Sequence, residues 1–438
     1  MAITRQSSDV PPRSRVRRRA AGTRLAGLSL LAAILFSGAA CGSSGNDRAT
    51  GENDGGGAGA TALLGPSAVA QGAPVRIGFV TDGRNAVADT TVEAAAANAT
   101  VAYVNEHRSG IGGRPIELVT CQTLSDPSKG TDCGNEMIEK NVAAVLIGSS
   151  TVNESAWKPL HDAGVPVMLF ASGGADQLAD AESTFILSDP TFGTITLPLR
   201  LAKDRHASKV TAVVIDVPAA LNLVNNVAPK LFEKAGVGLE VVAVPPGTAD
   251  MTPQMQRVAD GGGIVFIVGN DSFCISAMNG LRAVGFDGQV SAVSQCVTDA
   301  TRKAVPGDAL EGTVIAATAS AGSDSPSKKL YDAVMATYAK GDFDDSGNSG
   351  MNMFTTVMAF RTGTEGITRD VSSESLIAAL RSMSAADLTG VDGVRFRCNG
   401  KAYPQSPSVC VRGGLTTTLD GDGQPAGYKA LGVTPIED

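Results

Sequence analysis

Aromatic residues are scarce in this 438-residue chain, 4% with a single Trp, so its core must rest on the Val, Leu, Ile and Ala within a 43% apolar composition. Histidine is scarcer still, with only His107, His161 and His206, far apart in sequence and each read as a surface helix or loop residue. No Gly-x-Ser-x-Gly elbow, His-Glu-x-x-His pair or phosphate-loop lysine occurs, which leaves hydrolase, zinc-protease and nucleotide-hydrolysing chemistry without its machinery. Gly261-Gly262-Gly263 precedes a strand where a dinucleotide-binding turn follows one. No Cys-x-x-Cys spacing is present either, so metal binding is the weaker use for the cysteines. The first 40 residues hold seven Arg and one acid, a net of +6, which leaves −14 for the rest of a chain whose total is −8. So acidic a remainder is a poor candidate for binding nucleic acid or anionic lipid, and no nucleic acid is expected as a partner.

What the amino terminus has instead is the order of a targeting segment. Arginines through Arg24 precede the apolar run Leu25–Phe36, then Ser37-Gly38-Ala39-Ala40 and Cys41. The run falls short of the roughly 20 residues a membrane span takes. Small residues before a Cys resemble a bacterial lipoprotein box, which puts a lipid on Cys41 and makes residues 1–40 a signal peptide. Gly38 stands where that box usually has Leu, and ordinary cleavage among the small residues is the alternative. Residues 41–74, poor in large apolar groups and rich in Gly, are expected to form a flexible tether. The six remaining cysteines fall into three pairs close in sequence. In an oxidising exterior they predict bridges Cys121–Cys133, Cys274–Cys296 and Cys398–Cys410.

From Val75 on, buried-looking strands alternate with helices. The pattern is densest in VAAVLIGSSTVNESAWKPLHDAGVPVMLFASGG, residues 142–174, where two continuous apolar runs flank a short helix as in a parallel β-α-β unit. A second series begins at Val210 and repeats the arrangement, so the chain reads as two α/β lobes with a cleft between them. Ligands of such sheets sit beyond the carboxyl ends of the strands. The loops at that position are Gly148-Ser149-Ser150-Thr151 and Ala171-Ser172-Gly173-Gly174 in the first series. Asp342, Asp344, Ser346 and Gly347 faintly imitate a calcium loop, but Met353 occupies the place of its bidentate Glu, so no metal is expected.

Four phrases, SGIGGRPIELVTC, SDPSKGTDCGNEMI, AAVLIGSS and GVPVMLFASGG, resemble the branched-chain amino acid binding-protein family, the type I periplasmic binding proteins that feed ABC importers. The resemblance covers about Val75 to Val433 and is most specific over residues 109–174. It implies two Rossmann-like lobes joined by three crossovers near Asp189, Ala319 and Val394. Residues 75–190 with 320–393 would form the first lobe, and 191–319 with 394–438 the second. It further implies an extracytoplasmic, non-enzymatic protein without cofactor, anchored by Cys41, that passes a small molecule to a transporter permease. A ligand-sensing domain signalling to a partner protein is the other use of the same fold.

By position, Ser149, Ser150 and Thr151 match the family's first carboxylate-holding loop, and Ser172, Gly173 and Gly174 the second, where a frequent Thr is here Gly174. Asn270, Asp271 and Gln295 match the second-lobe loops. Gln295 stands where the family's ammonium-binding acid belongs, so either Asp271 substitutes or the ligand has no amine. Asp82 and Arg84, just beyond the first strand, either face the cleft or pair with each other. Ser and Gly also simply end strands and cap helices. Trp157 and Phe170 read as core.

Overall fold

The computed structural model describes residues 62–438 apart from 86–88, 218–219, 222–223, 226–227, 342–347 and 369. The signal segment, Cys41 and the calcium-like segment therefore lie outside the described residues.

Five short parallel strands form the first sheet: β1 (Val75–Thr81), β2 (Ile116–Gln122), β3 (Ala144–Ile147), β4 (Val167–Leu169) and β5 (Thr184–Ile186), in the order β2-β1-β3-β4-β5. Strand β3 is buried at every position, as a strand covered on both faces must be. Helices α1 (Thr91–His107), α2 (Pro127–Glu139), α3 (Asn153–Asp162) and α4 (Ala175–Ala179) connect them. Helix α2 starts where Asp126 accepts from the Ser128 and Lys129 amides ahead of Pro127.

The chain leaves this sheet after β5 through a π-helical turn (Phe192–Thr196) that runs into α5 (Leu197–Asp204). It then builds β6 (Lys209–Ile215), α6 (Ala228–Lys234), β7 (Gly238–Val244), α7 (Thr252–Gly261), β8 (Ile264–Val268), α8 (Asp271–Ala283) and β9 (Gln289–Ala292). Two short helices, α9 (Asp299–Ala304) and α10 (Gly307–Leu310), precede β10 (Val314–Ala317). Next, α11 (Pro326–Tyr338) and α12 (Ser349–Gly363) return to pack on α1, followed by α13 (Ser373–Ser382). A small antiparallel pair, β11 (Ala386–Asp387) and β12 (Arg395–Phe396), precedes β13 (Gly414–Leu419) and β14 (Pro425–Leu431). The second sheet runs β14-β13-β10-β9-β8-β6-β7, with β13 and β14 antiparallel to their neighbours. Helix α12 has no polar face because it is enclosed, with Met351, Met353, Phe354, Val357, Met358 and Phe360 all buried. The two-lobed α/β architecture is thus the one the alternating pattern predicts.

Two boundaries differ from expectation. The tether does not extend to Pro74: Leu64 is in the core, and the Ala68 and Ala70 amides donate to Glu106 and Asn105 at 2.7 Å. Arg114 Nε and Nη2 hold the Ala73 and Pro74 carbonyls. Residues poor in apolar surface are ordered here by the unpaired carbonyls at the carboxyl end of α1, which composition alone does not reveal. The third crossover falls after Val411, not near Val394. Val409 bridges in parallel to Ile186 at the edge of the first sheet, Phe396 bridges to Val411, and Cys398 and Cys410 lie in the first lobe's core. All three sequence-neighbour bridges form, Cys121–Cys133, Cys274–Cys296 and Cys398–Cys410.

Candidate functional site

Beyond the carboxyl ends of β1 and β3 lies a polar knot. Asp82 is 1% exposed and accepts five hydrogen bonds: from the Thr123, Ser150, Ser125 and Thr151 hydroxyls at 2.5, 2.6, 2.8 and 3.1 Å, and from the Thr151 amide at 3.0 Å. Burial alone would raise its pKa, but the donors from Ser150, Thr123, Thr151 and Ser125 outweigh burial and hold the carboxyl below its ordinary value. The Asp82 charge is therefore solvated by protein dipoles, and the Ser150 and Thr151 side chains are committed to it. Arg84 does not pair with Asp82; it forms an exposed ion pair with Asp89 at 2.7 Å.

Beside this knot sits an acid that no loop motif announces. Glu93, in the small-residue helix α1, is 1% exposed. It takes the Ser149 amide on both oxygens, at 3.1 and 2.9 Å, and the Thr81 hydroxyl at 2.9 Å. Burial pushes its carboxyl above the ordinary value, donors from Ser149 and Thr81 oppose the shift, and the Asp82 charge adds to it. Folding thus favours the protonated form: the contribution is fully present below the unfolded value of about 4.5 and is lost as pH rises through the raised one. Glu93→Gln, a permanent mimic of the protonated acid, should melt progressively higher relative to wild type as pH rises from 4 to 8. A melting difference that stays flat across that range would contradict this.

A cavity of about 430 Å³ opens between the two sheets. Phe170, Ser172 and Gly173 contribute from the loop after β4, and Gln295 from the turn after β9; the first crossover supplies Ser188 and Asp189. The Cys274–Cys296 bridge fastens Gln295's turn to α8. Of the sequence-derived candidates, the fold brings Ser172, Gly173 and Gln295 together around this space. Ser149, Ser150, Thr151, Asp82 and Arg84 are not in its lining, nor are Asn270 and Asp271. Asn270 caps α8 by accepting from the Phe273 amide at 3.1 Å, and Asp271 accepts from the Ser272 amide at 2.7 Å. Phe170 lines the cavity instead of lying wholly in the core, whereas Trp157 is core, with Nε1 donating to Thr184 at 2.7 Å.

The loop of Ser172 is internally braced. Its hydroxyl donates to Gln177 Oε1 and accepts from the Gly174 amide, and Gln177 Nε2 is buried without a partner. A Cβ at Gly174 would lie 2.1 Å from a carboxylate oxygen of the exposed Glu154 side chain, which would have to swing aside for the Thr expected there. Among the described residues no His, Cys, Asp and Glu group could hold a metal ion, and no helix is long and apolar enough to cross a membrane.

The model of the Periplasmic binding protein family matches residues 74–413. The chain belongs to that family. Leu/Ile/Val-binding protein homolog 6 of Brucella suis is 26% identical over 194 residues, 42% of this chain and 50% of that protein. The chain thus aligns with about half the length of that curated relative. The branched-chain amino acid transporter substrate-binding protein LivJ of Streptococcus pneumoniae, solved with isoleucine, shares the fold at 16% identity. Its TM-score is 0.57, with 82% of this chain and 99% of that one covered. A solute-binding protein of R. palustris, solved with 4-hydroxybenzoate, gives 18% identity and a TM-score of 0.59 over 83% and 98%. The family is that of periplasmic binding proteins, and the fold is shared with solved substrate-binding proteins of ABC transporters. This periplasmic binding protein is by its family extracytoplasmic.

Proposed function

We propose that this periplasmic binding protein is a lipid-anchored solute receptor on the outer face of a bacterial cytoplasmic membrane. It captures a small polar metabolite, an amino acid or a related carboxylate or amide, and delivers it to an ABC importer. The carrying observation is the cavity between the sheets, walled by the Ser172-Gly173 loop on one side and Gln295 on the other. A molecule touching both walls stabilises the closed arrangement by its differential contacts. On this reading the first lobe comprises residues 62–190 and 320–411, and the second 191–319 and 412–438. Ser172, Gly173 and Gln295 are the proposed contacts; Asp82, Ser150 and Thr151 build the loop beside them without touching the solute.

A thermal-shift screen of small metabolites on protein beginning at Gly42 tests capture, because a ligand that binds only the folded state raises the melting temperature. A screen of amino acids, organic acids and amides without one concentration-dependent shift would reject the proposal. Anchoring is tested separately by growth with a labelled fatty acid. Label is expected in the wild type and absent from Cys41→Ala; a labelled variant would remove the lipid from this account.

A further inference from the structure

On the reading just given, Ser172 reaches the solute, so the direction of its hydroxyl proton decides what it can hold. Ser172 is 8% exposed and lines the cavity. Its oxygen has one proton and two lone pairs to place. The Gly174 amide donates to one lone pair at 3.0 Å, and the proton goes to Oε1 of Gln177, a fully buried residue of α4. What remains for the solute is the second lone pair, which welcomes a donor and repels an oxygen.

Gln177 Nε2, meanwhile, is buried without a hydrogen-bond partner. A half turn of the amide about its last bond keeps its shape and exchanges the two atoms. Nε2 then donates to Ser172, both lone pairs of the hydroxyl are filled, and its proton has only the cavity to go to. The unpaired atom becomes a carbonyl oxygen, which proteins leave unsatisfied more readily than an N–H. The two orientations are therefore closely balanced, and one further hydrogen bond from a solute tips them.

We infer that Gln177 is a positioning residue for solute recognition: its amide turns over as the solute enters and directs the Ser172 proton onto a solute oxygen. Gln177 itself is not in the cavity lining. A group that only accepts, such as a carboxylate, needs the turned orientation. A primary amide carries donor and acceptor and meets Ser172 in either. One buried side chain thus lets a single hydroxyl serve both chemistries.

The test is calorimetric titration of the full chain with 4-methylpentanoate, leucine and 4-methylpentanamide, at pH 5.5 and pH 8. Gln177→Glu, ionised at pH 8, can only accept, so it locks the Ser172 proton inward. There the acid and leucine should bind about 10-fold or more weaker than to wild type, and the amide within about threefold. At pH 5.5 the introduced carboxyl, its pKa raised by burial, is protonated, donates to Ser172 and should restore binding. Adding Ser172→Ala should erase this recovery, which separates the proton's direction from simple repulsion between carboxylates. Wild type at both pH values removes the contribution of Glu154, whose carboxylate faces Gly174. A Gln177→Glu protein that binds the acid like wild type at pH 8, or whose recovery survives Ser172→Ala, would overturn the inference while leaving capture intact. Should that variant not fold, wild type gives a second reading by heteronuclear NMR. The Gln177 side-chain amide signal, identified by its loss in Gln177→Met, should shift when the acid binds, and an unmoved signal would equally overturn the inference. If none of the three probes binds, an acid and its amide are drawn from the hits of the metabolite screen; a screen without hits removes capture, and the inference with it.

Discussion

Asp82→Ala is expected to destabilise the protein by about 3–5 kcal/mol, one of the two largest effects we anticipate from a single substitution. The change strands the Thr123, Ser125, Ser150 and Thr151 hydroxyls and the Thr151 amide, all now satisfied by one buried carboxylate. Each buried donor left without an acceptor costs about 1–3 kcal/mol, and some will recover water or one another, hence a total below their sum. Asp82→Asn, which keeps the shape but turns donors toward donors, should lose less. Chemical denaturation reads both, as a lowered midpoint with the same slope. The pH signature has a definite sign. The folded carboxyl lies below its unfolded value of 3.8, so its contribution is present above that value and disappears as acid carries the solution through the folded one. Wild type should therefore lose stability in acid faster than either variant. A loss under about 1 kcal/mol for Asp82→Ala would mean that the loop does not depend on its carboxylate.

Gly390→Ala is expected to cost about 3 kcal/mol or more, by two mechanisms that one experiment separates. Gly390 has φ +110°, a conformation closed to residues with a side chain, and an added Cβ would lie 1.7 Å from the Thr355 hydroxyl on the enclosed helix α12. Its backbone cannot simply move away. The Gly390 carbonyl accepts from the Ser320 amide and its amide donates to the Ser327 hydroxyl, both at 2.9 Å. Adding Thr355→Ala to Gly390→Ala relieves the collision but leaves the dihedral strain, so the double variant should recover part of the loss. Full recovery would show that the backbone conformation costs nothing; no recovery would show that the collision does not matter.

The sheets were legible in the sequence because their strands are uninterrupted apolar runs, as Ala144–Ile147 and Ile264–Val268 illustrate. The bridges were legible because each partner was the next cysteine along the chain. The short helices α9 and α10 were missed, since six and four residues show too little periodicity to read. The site was only half visible. Ser172 and Gly173 follow from a strand end and Gln295 from the family resemblance, but an acid just past a strand, such as Asp82, ordinarily signals exposure. Its burial depends on hydroxyls from two loops up to 69 positions away. Glu93 gave no sign at all within an alanine-rich helix. The one available hint was the crowd of Ser and Thr at 81, 123, 125, 150 and 151, more hydroxyls than turns alone require.

The fastenings among the crossovers carry a mechanical consequence. Tyr403 ties the first crossover to the loop that precedes the third, through Asp189. Asp392 accepts from Ser325 and Ser327 and donates its amide to Ser320, tying the second to the segment beyond α13. Three loose ropes between two bodies would allow one to slide across the other. With the first rope fastened near the third at Tyr403, and the second held separately at Asp392, sliding is opposed and a turn is left as the less costly movement.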